Sequence, residues 1–86
     1  MMNVFVFSRR AERVFQKLPE DIQDRIVTKL RVLKEHPNLS SVLTPLVHFE
    51  PATHRLRIGE YRLILEACSH HEYLILDVGH RSTIYR

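Results

Sequence analysis

The stretch Arg55-Leu56-Arg57-Ile58-Gly59-Glu60-Tyr61-Arg62-Leu63-Ile64-Leu65 decides the fold. Polar and apolar residues alternate from Arg55 to Ile58, the period of a strand with one buried face. Gly59-Glu60 supplies a tight turn, and Tyr61 to Glu66 returns as a second strand. On the first strand Leu56 and Ile58 point one way and Arg55 and Arg57 the other. On the second, Leu63 and Leu65 lie on the face opposite to Arg62. Once the apolar face is covered, Arg55, Arg57 and Arg62 emerge together on the uncovered one.

The cover comes from upstream. Val4 to Phe7 is β-branched and aromatic, so it reads as a first strand, and Ser8 follows as a helix N-cap. Ala11, Val14, Phe15 and Leu18 recur at i, i+3, i+4 and i+7, which marks one helical face. Pro19 breaks that helix and starts another, with Glu20 and Asp21 at the positive end of its dipole. Ile22, Ile26, Leu30 and Leu33 form the apolar stripe of the second helix. It ends near His36, because Pro37 disfavours a helical residue before it. Arg25, Arg31 and Lys34 lie largely off the stripe, as on a solvated helix face. Residues 38–53 are polar and proline-containing, but Leu39, Leu43, Leu46 and Val47 tie them to the core.

Downstream, Ser69 to Glu72 is a turn and Tyr73 to Val78 a strand apolar enough to be central. After Gly79, Ser82 to Tyr85 reads as a last short strand. The expected fold is α+β, in the order β-α-α-β-β-β-β. It is one mostly antiparallel sheet with an N-terminal helical hairpin packed on one face. The 86 residues make a single domain, 1–86, which buries about 60% of the surface its unfolded chain exposes.

Composition narrows the function. The formal net charge of +3 suits a polyanionic partner. The single cysteine, Cys68, excludes an internal disulfide and suits a reducing cytoplasm, where it reads as a small apolar filler. No apolar run approaches the ~20 residues that span a membrane. No paired carboxylates stand at ligand spacing, and the side chains of His70 and His71 diverge on a strand, so neither metal nor cofactor is expected. Arginine binds phosphate through a planar, bidentate fork. Tyr61 and Tyr85 among the arginines provide rings on which bases of single-stranded RNA could stack. Arginines on a sheet face also serve solubility, and tyrosines are commonly half-buried strand residues, so spacing alone leaves both uses open.

The segment from His54 to Arg62 resembles the R-hydrophobic-R-hydrophobic-G-x-Y-R hairpin of the RelE/ParE toxins. The ending Val78-Gly79-His80-Arg81-Ser82-Thr83-Ile84-Tyr85-Arg86 is similar to their closing segment. Ala11 through Leu18-Pro19 resembles their A-x-x-x-x-x-K-L-P opening. The resemblance covers nearly the whole chain and implies the RelE-like microbial ribonuclease fold. Gly79-His80-Arg81 with Tyr85 resembles the RelE-like branch, whose members are ribosome-dependent messenger RNA endonucleases. ParE-like members, the alternative, poison DNA gyrase.

The resemblance also implies roles. Arg62 matches the phosphate-binding arginine, Arg57 and Arg55 take the places of two strand lysines, and Arg81 matches the late arginine. Tyr85 matches the stacking tyrosine. Arg55, Tyr61 and Arg86 would bind RNA. The implied reaction is attack of the RNA 2′-hydroxyl on the adjacent phosphate, with arginines in place of a metal ion. The implied partners are the ribosome with its message and a cognate antitoxin, in a toxin–antitoxin hetero-oligomer. Here all three lysines, Lys17, Lys29 and Lys34, lie in the helical half. Arginine is a poor proton acceptor, so a general base would fall to histidine. His54, beside the arginine strand, ranks first and His80 second. On a regular strand, however, His54 shares the face of Leu56.

Overall fold

The computed structural model describes residues 2–84. Strand β1, Val4–Phe7, leads into helix α1, Arg9–Gln16, through Ser8. The Ser8 hydroxyl accepts the Ala11 N–H at 3.1 Å, satisfying one of the donors a helix start leaves open. Helix α2, Glu20–Lys34, begins directly after Pro19. The Gln23 amide donates to the carbonyls of Leu18 and Gln16, at 3.0 and 3.2 Å, and so ties the two helices across the corner.

The other end of α2 is held by Asn3. Its backbone N–H donates to Lys34 O at 2.7 Å, and its Nδ2 donates to Leu33 O and His36 O at 2.9 and 3.0 Å. A helix end otherwise leaves such carbonyls without partners. Asn3 is the buried polar residue of the described core, 2% exposed, and every polar atom of its side chain is satisfied.

A 3-10 turn, Leu39–Ser41, and a two-residue strand β2, Thr44–Pro45, follow. Then come β3, His54–Ile58, β4, Tyr61–Ser69, and β5, Glu72–His80. The sheet order is β1-β5-β4-β3-β2. Strand β5 therefore lies between β1 and β4, as its apolar density predicts. Strand β1 pairs with β5 in parallel and the other pairs are antiparallel. The connection between β1 and β5 runs through the helical hairpin and then β2 to β4, long enough for the crossover a parallel pair needs. Sequence reading does not expose β2, because two residues carry no period. Its Pro45 is tolerated at an edge, where no neighbour needs its N–H.

The core lies between the helices and one sheet face. Ile26 and Leu33 of α2 and Ala11 of α1 meet Leu56, Ile58, Leu63, Leu65, Ile75 and Val78. Leu39 and Leu43 of the connection join them, whereas Val47 is exposed. The expected final strand is corrected: the described residues 81–84 form a turn, not a strand. The carbonyl of His80 accepts the N–H groups of Thr83 and Ile84, both at 3.0 Å, which curls the backbone and ends β5.

Candidate active site

The β3–β4 hairpin has the predicted register. Leu56 pairs with Leu63, Arg57 with Arg62 and Arg55 with Ile64. Paired residues share a face, so the three arginines lie on the side away from Leu56, Ile58, Leu63 and Leu65. The turn needs glycine: Gly59 has φ 60°, and a Cβ there would come within 3.1 Å of the Arg25 guanidinium. Arg62 folds back on this turn, its Nη1 donating to Gly59 O and Tyr61 O at 3.0 Å each. These bonds fix the guanidinium while leaving donors unused.

Strand β5 carries an irregularity that sequence reading misses. Leu63 pairs with Val78 and Ile64 with Asp77, but Leu65 pairs with Ile75. Leu76 is the extra residue of a bulge, which re-aims everything after it. Ile75 and Val78, three apart, both face the core. Gly79 then pairs with Arg62, and His80 with Tyr61. The Tyr61 and His80 rings meet edge to face, with centroids 5.5 Å apart. The turn after His80 lies against Gly79, where a Cβ would come within 2.9 Å of Ile84 Cδ1. A side chain at position 79 would push the end of the Ile84 side chain aside.

Arg55, Arg62, His80, Arg81 and Ser82 line one open cleft of about 430 Å³ at this end of the sheet. Two chain segments close it together. The Arg81 N–H donates to Glu60 O at 2.8 Å, and the Arg81 Nε pairs with the Glu60 carboxylate. The hairpin turn and the end of β5 are thus joined twice by the same two residues. Glu60 and Ser82 are functional candidates that sequence reading leaves out. Their signal was their position, one in the turn before Tyr61 and Arg62 and one two residues after His80.

The remaining candidates stand elsewhere. Arg57 is exposed and lines a separate groove with Asp21, Asp24, Arg25 and Lys29 of α2. His54 pairs with Leu65, on the helix-covered side. Its Nδ1 lies 2.8 Å from the Thr53 hydroxyl and its ring stands edge-on to Tyr73, away from the cleft. No bulge brings it to the arginines. Tyr85 and Arg86 lie outside the described residues. Among the described residues no three His, Cys, Asp or Glu side chains are grouped to share a metal ion, and no helix is long and apolar enough to cross a membrane.

The sheet has one face covered by a helical hairpin and an arginine-lined cleft at the end of the other. Comparison with known proteins makes this specific. The model of the family described as the ParE toxin of type II toxin–antitoxin system, parDE, matches residues 5–85. The RelBE2 toxin–antitoxin complex from Mycobacterium tuberculosis contains a chain 30% identical, with a TM-score of 0.78; the match covers 94% of this chain and 100% of that one. A mutant of Escherichia coli toxin RelE in the free state is 21% identical, with a TM-score of 0.71 and coverage of 99% and 90%. The archaeal RelE–RelB complex from Pyrococcus horikoshii gives 20%, 0.71, 96% and 99% in the same order. No curated protein matches by sequence. The chain belongs to the RelE/ParE toxin superfamily and is a toxin of the type II toxin–antitoxin class.

Proposed function

We propose that the chain is a ribosome-dependent messenger RNA endonuclease held inactive by a cognate antitoxin. The observation that carries this reading is the convergence of Arg55, Arg62 and Arg81 with His80 in one open cleft. A phosphate seated there meets guanidinium groups from two strands and from the turn that follows the third. The 2′-oxygen of the preceding nucleotide attacks phosphorus and the bond to the 5′-oxygen breaks. The 2′-hydroxyl proton is lost to a base and the 5′-oxygen gains one, leaving a 2′,3′-cyclic phosphate and a 5′-hydroxyl. Charge builds on the phosphoryl oxygens in the transition state, where fixed donors lower the barrier most. Arg62, already held by two carbonyls, is the main donor in this scheme.

Tyr61, whose ring meets His80, would flank the RNA, and RNA contacts by Arg57, Tyr85 and Arg86 rest on the family resemblance alone. Relatives solved as toxin–antitoxin complexes support an antitoxin as partner, in a hetero-oligomer. A ribosome-dependent activity would act in the cytoplasm. The test is primer extension on a translated message after expression without a partner. New 5′ ends should appear and should vanish when ribosomes are omitted; intact message during growth arrest refutes the reading. The family model that matches is that of ParE toxins, which favours gyrase inhibition as the second reading. Supercoiling by gyrase, assayed with the purified chain, separates the two.

A further inference from the structure

We infer that His80 serves the cleft as a neutral hydrogen-bond donor through Nε2, and that Ser82 is the positioning residue that fixes this tautomer. The inference rests on the phosphate-binding reading of the cleft. Ser82 donates its backbone N–H to His80 Nδ1 at 3.1 Å, and its hydroxyl lies 2.8 Å from the same nitrogen. A backbone N–H can only donate, so Nδ1 must present its lone pair. In the neutral ring the proton then sits on Nε2.

The consequence is chemical. Nδ1 is occupied, and Nε2 has no lone pair to accept the proton of a 2′-hydroxyl. A general-base role therefore requires either the other tautomer or loss of the bond from Ser82. Transfer of the Nε2 proton would leave an imidazolate, which is unfavourable near neutral pH. What the neutral ring can do is donate a hydrogen bond to a phosphoryl oxygen, as neutral imidazole polarises a carbonyl in triosephosphate isomerase. No proton changes owner in that contact. The edge contact with Tyr61 and the turn at Thr83 and Ile84 hold the ring and its backbone in place.

Two other histidines show that the tautomer is set locally. His71 Nδ1 faces the Oδ1 of Asn3 at 3.1 Å, and the Asn3 amide nitrogen is committed to two carbonyls. His71 must therefore carry its proton on Nδ1. His36 repeats the His80 arrangement, since the Asn38 N–H donates to its Nδ1 at 3.0 Å. That bond caps a turn outside the cleft. His36 is thus the built-in control for a histidine whose bond is structural and nothing more.

The imidazole nitrogens of the purified chain, followed by 15N-detected magnetic resonance, give a test independent of RNA cleavage. At neutral pH His80 should show an unprotonated Nδ1 and a protonated Nε2. Adding inorganic phosphate should shift the His80 Nε2–H signal and leave that of His36 in place. A protonated Nδ1, or no response of His80 to phosphate, overturns the inference even if the chain cleaves RNA. Ser82→Pro removes the donor and should give mixed tautomers, whereas Ser82→Ala keeps the N–H and should not. Should Ser82→Pro fail to fold, the two His80 variants decide.

His80→Gln keeps a donor near the Nε2 position but loses the cap. His80→Asn keeps an acceptor for Ser82 but loses the donor. In single-turnover cleavage His80→Asn should lose on the order of a hundredfold, and His80→Gln much less, with the pH profile of the parent. The reverse order makes His80 a turn cap only. Equal losses in both, or a pH limb abolished in His80→Gln, make it a proton-transfer group. A parent that cleaves nothing removes the endonuclease reading and leaves the phosphate response to stand by itself.

Discussion

The two ends of the sheet treat polar side chains in opposite ways. At the end where β5 begins, Asn3 is buried and all its donors are spent on the carbonyls that close α2. At the end where β5 stops, Arg81 and Ser82 are exposed, and Arg62 is held by two carbonyls with donors to spare. The first arrangement fixes the fold, because a buried polar group without a partner is costly. The second leaves donors open where the proposed phosphate would sit, and its members can be removed cheaply as far as the core is concerned. Stability and activity should therefore respond to different residues.

The largest break in that comparison is Arg62→Ala. Loss of a positioned donor to the transition state should lower single-turnover cleavage on the order of a hundredfold. The melting temperature should stay close to that of the parent, since the lost bonds lie at an exposed turn. A variant that cleaves normally, or one whose circular dichroism spectrum collapses, would contradict the separation of roles.

The opposite result is expected of Asn3→Ala. It strands the carbonyl of His36, leaves Leu33 O with the His36 N–H, and removes the partner of His71. Chemical denaturation should show a loss of about 1–3 kcal/mol. The folded fraction should keep its cleavage rate per molecule, because the cleft lies at the far end of β5. A rate loss larger than the unfolded fraction explains would show that the two ends are coupled.

Much of this division is legible in the sequence, and what is hidden is hidden for local reasons. The helices, the hairpin and the arginine face follow from periods of 3.6 and 2 that many residues repeat. Asn3 has no such signal, since a single polar residue before a strand announces neither burial nor partners thirty residues away. The bulge at Leu76 is invisible because Tyr73 to Leu76 is apolar on both faces, so alternation cannot report a slipped register. The end of β5 follows from that slip. Ser82-Thr83-Ile84 has strand-like composition, yet the hydrogen bonds to His80 O override propensity. His54 ranks first among the histidines by its place beside the arginine strand, but alternation gives it the face of Leu56, and the regular register from His54 to Ile58 keeps it on that covered face.

A smaller effect is expected at Glu60. Its carboxylate pairs with Arg81 where both side chains are more than half exposed, so the pair contributes at most about 1 kcal/mol to stability. It holds the Nε of Arg81, and in the proposed reaction this would aim the two terminal nitrogens at phosphate. Glu60→Ala should leave melting nearly unchanged and reduce cleavage severalfold, with most of the loss in substrate affinity. Added salt should shrink the difference between the variant and the parent, since an exposed pair is screened. A faster variant would mean that Glu60 competes with phosphate for Arg81 and does not orient it.

The smallest effect belongs to His71, at the Asn3 end. Its pKa lies below the ordinary value of 6.5, first because the ring is desolvated and then because His70 adds positive charge nearby. The two rings are 4.1 Å apart. A histidine depressed in the folded state binds fewer protons there than in the unfolded chain. Its contribution to stability is therefore intact above pH 6.5 and is lost as pH falls from 6.5 through the folded value. Denaturation midpoints measured from pH 7.5 down to about 5 should decline for the parent. His70→Gln removes the neighbouring charge and should make the decline shallower, without touching the His71–Asn3 hydrogen bond. His71→Gln can keep a donor to Asn3 and should flatten the decline further. An unchanged slope in both variants would place the acid sensitivity in other groups and leave the Asn3 clamp indifferent to pH.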